Sequence, residues 1–390
     1  MSGSWNETAP GRRRDGRARL LDALASEGSA TRADLARATG LAPSTVTSLV
    51  AALIEDGVVG HADNPAGPPG VGRPGQWITL ARRAGVVVGI DLGRGHVKVA
   101  VSDLSHSLLA RRDVGKPADQ LARADIAMVV QQFEGVLADA GVGRQEVLAV
   151  AMGLPGPVHA TGELGDSTIL PGWVGVRAGE ALEEALGMPV IVDNDANLGA
   201  LSESKWGAGD GVADLVYLKV STGIGAGLVI EGRLFRGAGN TAGEVGHTVI
   251  DPVGPVCRCG NRGCLEMYAG SAAILGALQA THPDVTDLST LVRWAAAGDV
   301  GCERVVSDAG RAIGSAVATL CNIVNPARVI VGGALGEAGD QLIEPMRRTM
   351  RRGAVRSAAG DVQIVPAALG QDAELMGAVA LALERAEVKI

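Results

Sequence analysis

Three cysteines and a histidine crowd into eighteen positions of this 390-residue chain: His247, then Cys257, Cys259 and Cys264 in the run Cys-Arg-Cys-Gly-Asn-Arg-Gly-Cys. One imidazole and three thiolates match the ligand set of a closed tetrahedral zinc site, and four protein ligands leave no open position for water. The chemistry expected is therefore structural. Gly260 and Gly263 permit the tight turn that aims Cys259 and Cys264 at one ion. The plainer alternative is three buried thiols beside an unrelated histidine, yet buried thiols rarely gather in a Gly-rich, Arg-containing loop. A disulfide is disfavoured, because the N-terminus, with Trp5, Glu7 and Arg12 to Arg14, carries no hydrophobic secretory segment. Cys302 and Cys321 fall in Ala- and Val-rich helical stretches and read as core residues.

A second group, Asp193-Asn194-Asp195-Ala196-Asn197, follows an apolar run at Val190 to Val192 and precedes a helical pattern. Ligands in open α/β sheets bind at the C-terminal ends of strands. Asn194 and Asp195 supply the donor and acceptor mixture that grips vicinal sugar hydroxyls, and an aspartate there can take a proton from a hydroxyl attacking phosphate. An Asx turn with a helix N-cap accounts for some of these residues but not for all four. Gly243-Glu244-Val245-Gly246-His247 leads into the cysteine loop and Glu266 follows it, so Glu244, His247 and Glu266 are expected beside one metal anchor.

These groups need a scaffold. The strand Val86 to Ile90 runs into the turn Asp91-Leu-Gly93-Arg94-Gly95-His96, and Val97, Val99 and Val101 alternate as a second strand. A second Gly-rich turn, Ser221 to Gly227, follows the strand Leu215 to Val220 and precedes Leu228 to Ile230; a third, Gly332-Gly333, follows Val329 to Val331. Strand, acidic Gly-rich turn, strand is how actin-like ATPases open, with turn amides approaching phosphates. Three such turns fit two α/β lobes facing each other across a cleft, although 56 glycines allow chance recurrence.

The first eighty residues have a different grammar. Leu20, Leu21 and Leu24 share one face of a helix from Arg17 to Glu27; Thr31 caps a second helix through Thr39, closed by Gly40. A third opens with Pro43 and carries Val46, Leu49, Val50, Leu53 and Ile54 at buried-stripe spacing, and Gly57 stops it. Val58-Val59 and Gln76 to Leu80 flank a Pro/Gly-rich excursion tipped by Gly72-Arg73-Pro74. Three short helices and a wing predict a winged helix-turn-helix; a dimerisation or protein-docking domain is the alternative. Ser44, Thr45, Thr47 and Ser48, with Arg37, are the candidates for the DNA major groove, and Arg73 for the minor groove; any one of them could instead be a solvated surface residue.

Charge agrees with that division. Residues 1–83 hold ten Lys or Arg against eight Asp or Glu, in a chain totalling 35 against 43, so the head is weakly basic and the body acidic. Aromatics make up only 2% of residues against 47% apolar, so the cores are built from Ala, Val, Leu and Ile. Without a run of about 18 apolar residues, no membrane span is expected and a soluble, cytoplasmic protein is.

Taken together the motifs resemble the ROK family of bacterial sugar-responsive repressors, open reading frames and sugar kinases: Asp91 to Lys98, Gly153 to Pro157, Asn194 to Asn197, Thr222 to Gly227, Glu244 to His247, Cys257 to Glu266 and Gly332-Gly333. The winged head is similar to the repressor branch. The resemblance implies an α/β protein with a winged helix-turn-helix over 1–82 and a two-lobed, actin-like or hexokinase-like ATPase-type body over 83–390. Its first lobe would be 83–205 plus the C-terminal helix, and its second, with the zinc loop, 206–370. It further implies that Asn194, Asp195, Glu244, His247 and Glu266 contact a sugar, that His247 serves both metal and ligand, and that Asp195 is the catalytic base in kinase relatives. Two departures stand out. Arg94 and His96 depart from the kinase pattern Asp-x-Gly-Gly-Thr-Lys, and Ile169 stands where kinases carry an Asn four residues before Trp173.

The expected function is thus a DNA-binding regulator, a repressor, that answers to a sugar or sugar phosphate. Structural zinc and operator DNA are its implied cofactor and partner, without ATP and Mg2+, in a homodimer or homotetramer. An ATP-dependent sugar kinase with an added DNA-binding head, or a scaffold docking a transport protein, are the competing readings.

Overall fold

The computed structural model describes residues 10–62, 76–81, 84–165 and 169–386. The head comprises α1 (Pro10–Glu27), β1 (Ser29–Thr31), α2 (Arg32–Thr39), α3 (Pro43–Glu55), β2 (Val59–Ala62) and β3 (Trp77–Leu80). Local chemistry sets its boundaries. Thr31 and Asp34 form a reciprocal capping box on α2, and Gly40, at φ 65°, ends it. Pro43 occupies the first turn of α3, where its missing N–H leaves no bond unmade. Val46, Val50 and Leu53 are fully buried, whereas Leu49 and Ile54 are only partly so.

The head differs from the sequence expectation in two places. Its first helix starts at Pro10 rather than Arg17, and β1 is an added strand, too short to leave an alternating pattern. What makes β1 a strand is its partner: β3 lies between β1 and β2, antiparallel to both, with Ala30 opposite Ile78 and the Thr79 hydroxyl donating to the Gly28 carbonyl at 2.7 Å. The wing tip with Arg73 lies outside the described residues.

The body holds two five-stranded sheets of one plan. The first contains β4 (Val86–Leu92), β5 (His96–Asp103), β6 (Leu108–Gly115), β7 (Val147–Leu154) and β8 (Val190–Asn194), in the order β6-β5-β4-β7-β8. The second contains β9 (Leu215–Val220), β10 (Ile224–Ile230), β11 (Arg233–Phe235), β12 (Arg328–Gly332) and β13 (Gln363–Pro366), in the order β11-β10-β9-β12-β13. Each is an antiparallel meander of three strands extended by two parallel ones. Strands such as β4, buried at every position, need cover on both faces, which explains their unbroken apolar runs.

Helices α4 (Ala122–Ala140) and α5 (Ala178–Leu186) cover the outer face of the first sheet. Helix α6 (Asp195–Trp206) follows β8 directly. On the second sheet α7 (Glu266–Ala269), α8 (Ser271–Leu278), α9 (Leu288–Ala296), α10 (Val300–Val324), α11 (Asp340–Gly353) and α12 (Arg356–Ala359) build the outer layer, with Cys302 and Cys321 buried in α10. The last helix, α13 (Ala373–Arg385), returns to the first sheet, packing on β4 and β7, while α6 packs on β9 and β10 and the two helices on each other.

Two glycines permit this middle layer. A Cβ at Gly377 of α13 would sit 2.0 Å from the Leu198 carbonyl oxygen of α6, and one at Gly227 of β10 would sit 2.3 Å from that of Ala196. The expected turn from Ser221 to Gly227 is accordingly shorter: β10 begins at Ile224, and Gly225 and Gly227 are strand residues kept small for the α6 backbone.

Head and body share a core. Leu20, Leu21 and Leu24 of α1, with Ile78 and Leu80 of β3, join Leu375, Val379 and Leu383 of α13 and Val87 and Ala100 of the first sheet in one buried cluster. At its margin His106 lies against Gly28 and stacks, tilted, on Trp206 at the end of α6, with 5.3 Å between ring centres.

Candidate functional site

The C-terminal ends of β4, β7, β8 and β9 converge on a cavity of about 530 Å3 between the sheets. The turn Gly93 to His96, the segment Pro155 to Pro157, Asn194 and Asp195 line it from one side; Lys219, Ser221 to Gly225, Glu244, His247, Arg258, Cys259 and Glu266 line it from the other. All five sequence-predicted sugar contacts, Asn194, Asp195, Glu244, His247 and Glu266, thus meet in one space. The third Gly-rich turn does not reach it: Gly332 packs on the Tyr217 ring and Gly333, at φ 76°, on the Val220 backbone.

The Asp/Asn run divides its labour. Asn194 caps α6, accepting from the Ala196 and Asn197 amides at 2.9 and 3.3 Å, and its own amide donates to the Gly156 carbonyl at 2.8 Å. Asp193 accepts from Asn197 Nδ2 at 2.9 Å and from Arg236 Nε at 2.7 Å, so Asp193 and Asn197 serve the fold. Asp195 Oδ1 accepts the Ala196 N–H and Oδ2 accepts Lys219 Nζ, both at 2.8 Å. Glu244 is held less firmly; burial, and then the charges of Asp195 and Glu266, push its carboxyl up to about 7.

The two departures in the sequence have visible consequences. His96 folds back so that its Nε2 lies 2.9 Å from Asp91 Oδ2, and its ring covers Gly93 closely enough that a Cβ there would sit 2.1 Å away. The ring thus occupies the space directly over the Gly93 backbone. Burial opposes charge on Asp91, but His96, with Lys219 and Lys98 nearby, holds its carboxyl below the usual range. Arg94 reaches out to Asp119 at 3.1 Å. Ile169 gives the cavity an apolar wall beside Gly223 and Glu266. Its loop is anchored by the fully buried Trp173, whose indole N–H donates at 2.8 Å to Asp125, itself paired with buried Lys116 at 3.1 Å.

At the cavity rim the His247, Cys257, Cys259 and Cys264 donor atoms lie within 4.8 Å of one another. His247 Nδ1 to Cys257 Sγ and Cys259 Sγ to Cys264 Sγ are each 3.6 Å. A tetrahedron of thiolates about 2.3 Å from a central ion has edges of about 3.8 Å, so the cluster fits a metal ion. Burial, reinforced by the adjacent thiols, pushes Cys264 up to about 12 when no cation is present, so three thiolates need an ion to stay together.

On the head, Ser44, Thr45, Thr47 and Ser48 are all exposed along α3, with Thr47 and Ser48 hydroxyls donating to the carbonyls of Pro43 and Ser44. Arg37 is exposed on α2 and pairs with Asp34. Sequence reasoning missed Lys219 and Arg258. The lysine stands in the otherwise apolar strand LVYLKV, which was a usable signal; Arg258, between Cys257 and Cys259, pairs with Glu266 for a reason that only the folded loop reveals.

The body matches the ROK family over residues 87–385, and residues 17–59 match a winged helix-turn-helix DNA-binding family. The xylose repressor of Bacillus subtilis (strain 168) is 27% identical over 94% of this chain and 94% of its own length. A crystal structure of a ROK family transcriptional regulator, a homologue of the E. coli Mlc protein, superimposes with a TM-score of 0.76 and 26% identity over 96% of this chain and 97% of that one. A ROK family glucokinase from Streptomyces griseus, solved with glucose and AMPPNP, gives 0.66 and 28% over 76% of this chain and 99% of the kinase. The whole kinase therefore corresponds to the body alone.

Proposed function

The chain belongs to the ROK family, and on that premise we propose that it is a sugar-responsive transcriptional repressor: the head binds operator DNA and the body binds a sugar or sugar phosphate that alters that binding. The observation that carries this reading is the shared core: a winged head with an exposed, short-side-chain polar face on α3 packs against α13, in the helix layer that borders the sugar-sized cavity. Ser44, Thr45, Thr47 and Ser48 are our candidates for base edges and phosphates, with Arg37 beside them and Arg73 for the minor groove.

In the cavity, Asp195, Glu244 and Glu266 offer acceptors to hydroxyls, Asn194 its remaining amide N–H and His247 an imidazole nitrogen, in a volume within the usual range of small-molecule pockets. We assign the cysteine cluster to zinc. Bound there, the ion supplies a fixed anchor, and His247, Cys257, Cys259 and Cys264 would then hold the Glu244 turn, Arg258 and Glu266 in register with α6. Head over 1–82 and body over 83–390 are the functional units, and recognition of paired half-sites implies a symmetric dimer or a pair of dimers.

Similarity to a glucokinase keeps a sugar kinase with a DNA-binding head as the second reading. Against it stand the His96 ring over Gly93 and the engagement of both Asp195 oxygens. Selection of duplexes from a random DNA library by the full chain, followed by titration with D-xylose, D-glucose and their phosphates, tests the repressor. Enrichment of a paired motif whose affinity drops at least tenfold with one sugar is expected. No enriched motif, with ADP formed from ATP on sugar addition, supports the kinase instead.

A further inference from the structure

Lys219 is the one charged residue of β9. A lysine in a largely buried strand forfeits hydration and persists only where carboxylates replace the lost water. Its Nζ crosses from the second sheet to Asp195 Oδ2 at 2.8 Å, at the start of α6, and to Glu374 Oε1 at 3.5 Å, at the start of α13. Glu374 also accepts the Tyr217 hydroxyl at 3.0 Å, which leaves it committed to this buried group.

Asp195 therefore has a donor on each oxygen before any ligand arrives: the Ala196 amide on Oδ1 and the ammonium on Oδ2. Carboxylate oxygens have about two acceptor sites each, so either can still take a hydrogen bond from a sugar hydroxyl. Serving as general base asks more: a proton coming to rest on Asp195 would cancel the negative charge that Lys219 faces at 2.8 Å in a largely buried site and leave Glu374, at 3.5 Å, as the ammonium's remaining anion. The lysine and the amide also fix the plane of the carboxylate, which a flexible aspartate could not hold by itself.

Resting on the sugar-sensor reading above, we infer that Lys219 is the positioning residue that makes Asp195 a fixed hydrogen-bond acceptor for a sugar hydroxyl and withholds it from proton transfer. The lobe facing Asp195 supplies the cation, so the sensor is read from both sheets at once.

The experiment is calorimetric titration of the full-length, zinc-loaded chain with D-glucose and D-xylose as probes, using Lys219→Met, Lys219→Arg, Asp195→Asn and the Lys219→Met/Asp195→Asn double variant. Lys219→Met should bind the recognised sugar at least tenfold more weakly, and Lys219→Arg should recover to within about threefold of wild type. The double variant should bind no more weakly than Asp195→Asn, because Lys219 acts through that carboxylate. Wild-type affinity in Lys219→Met, or losses that add in the double variant, overturns the inference. If Lys219→Met does not fold, the double variant, which removes both charges together, carries the comparison. If neither probe binds the wild-type chain, melting of the ligand-free variants decides the pairing: non-additive Tm shifts for Lys219→Met and Asp195→Asn support it, additive ones refute it.

Discussion

Glu244→Gln should make the protein more stable at alkaline pH, an unusual outcome for a change in a binding pocket. Burial and the charges of Asp195 and Glu266 raise the Glu244 carboxyl from 4.5 to about 7. Its folded value exceeds its unfolded one, so its contribution to stability is fully present below about pH 4.5 and is lost as pH rises through 7. A displacement of that size corresponds to about 3 kcal/mol at about 1.4 kcal/mol per tenfold change in the proton equilibrium, and solvent access to the cavity reduces the observable share to about 1–2 kcal/mol. Glutamine keeps the shape without the charge. Urea melts of wild type and variant at pH 5, 6, 7 and 8, with zinc present throughout, should differ least at pH 5 and diverge progressively, to about 1–2 kcal/mol in the variant's favour at pH 8. A difference that stays flat across that range, or that favours wild type at pH 8, would refute the electrostatic reasoning.

Three further outcomes are expected. Cys259→Ser should lack the single zinc that metal analysis of the wild type is expected to find, and should weaken the sugar response; a wild type that purifies metal-free with an intact response contradicts this. Arg73→Ala should weaken operator binding and flatten the dependence of log affinity on log salt by about one unit, whereas an unchanged slope would place the wing off the DNA. Asp195→Ala should abolish sugar-induced operator release, and the wild type should form no ADP with sugar, MgATP and enzyme together; turnover of about 1 per second or more, in the kinase range, would overturn the sensor reading.

Much of this molecule was legible from residue order, for identifiable reasons. Periodicity and caps located α2 and α3 because Thr31, Gly40 and Pro43 act locally, within a turn of the chain. The cysteine cluster was legible because metal ligands must be of few types at short spacing. Strand β1 was not, since three residues carry no period and the strand exists through its pairing with β3. The length of β10 was misjudged because glycines that admit the α6 backbone look the same in sequence as glycines that make a turn. Lys219 was passed over as a strand residue; its role depends on Asp195 and Glu374, which are 24 positions before it and 155 after it.

The shared core of head and body restricts how a signal can leave the cavity. A recognition module on a slack tether samples many orientations, and a ligand elsewhere has little to act upon. Here Leu20, Leu21 and Leu24 are seated among Leu375, Val379 and Leu383 of α13, so the head can turn only by exchanging one close-packed seating for another. Movement of that kind is stepwise, and a sugar biases it only by the difference in its affinity for the two seatings: tipping the balance from 1:99 to 99:1 takes about a 10⁴-fold preference.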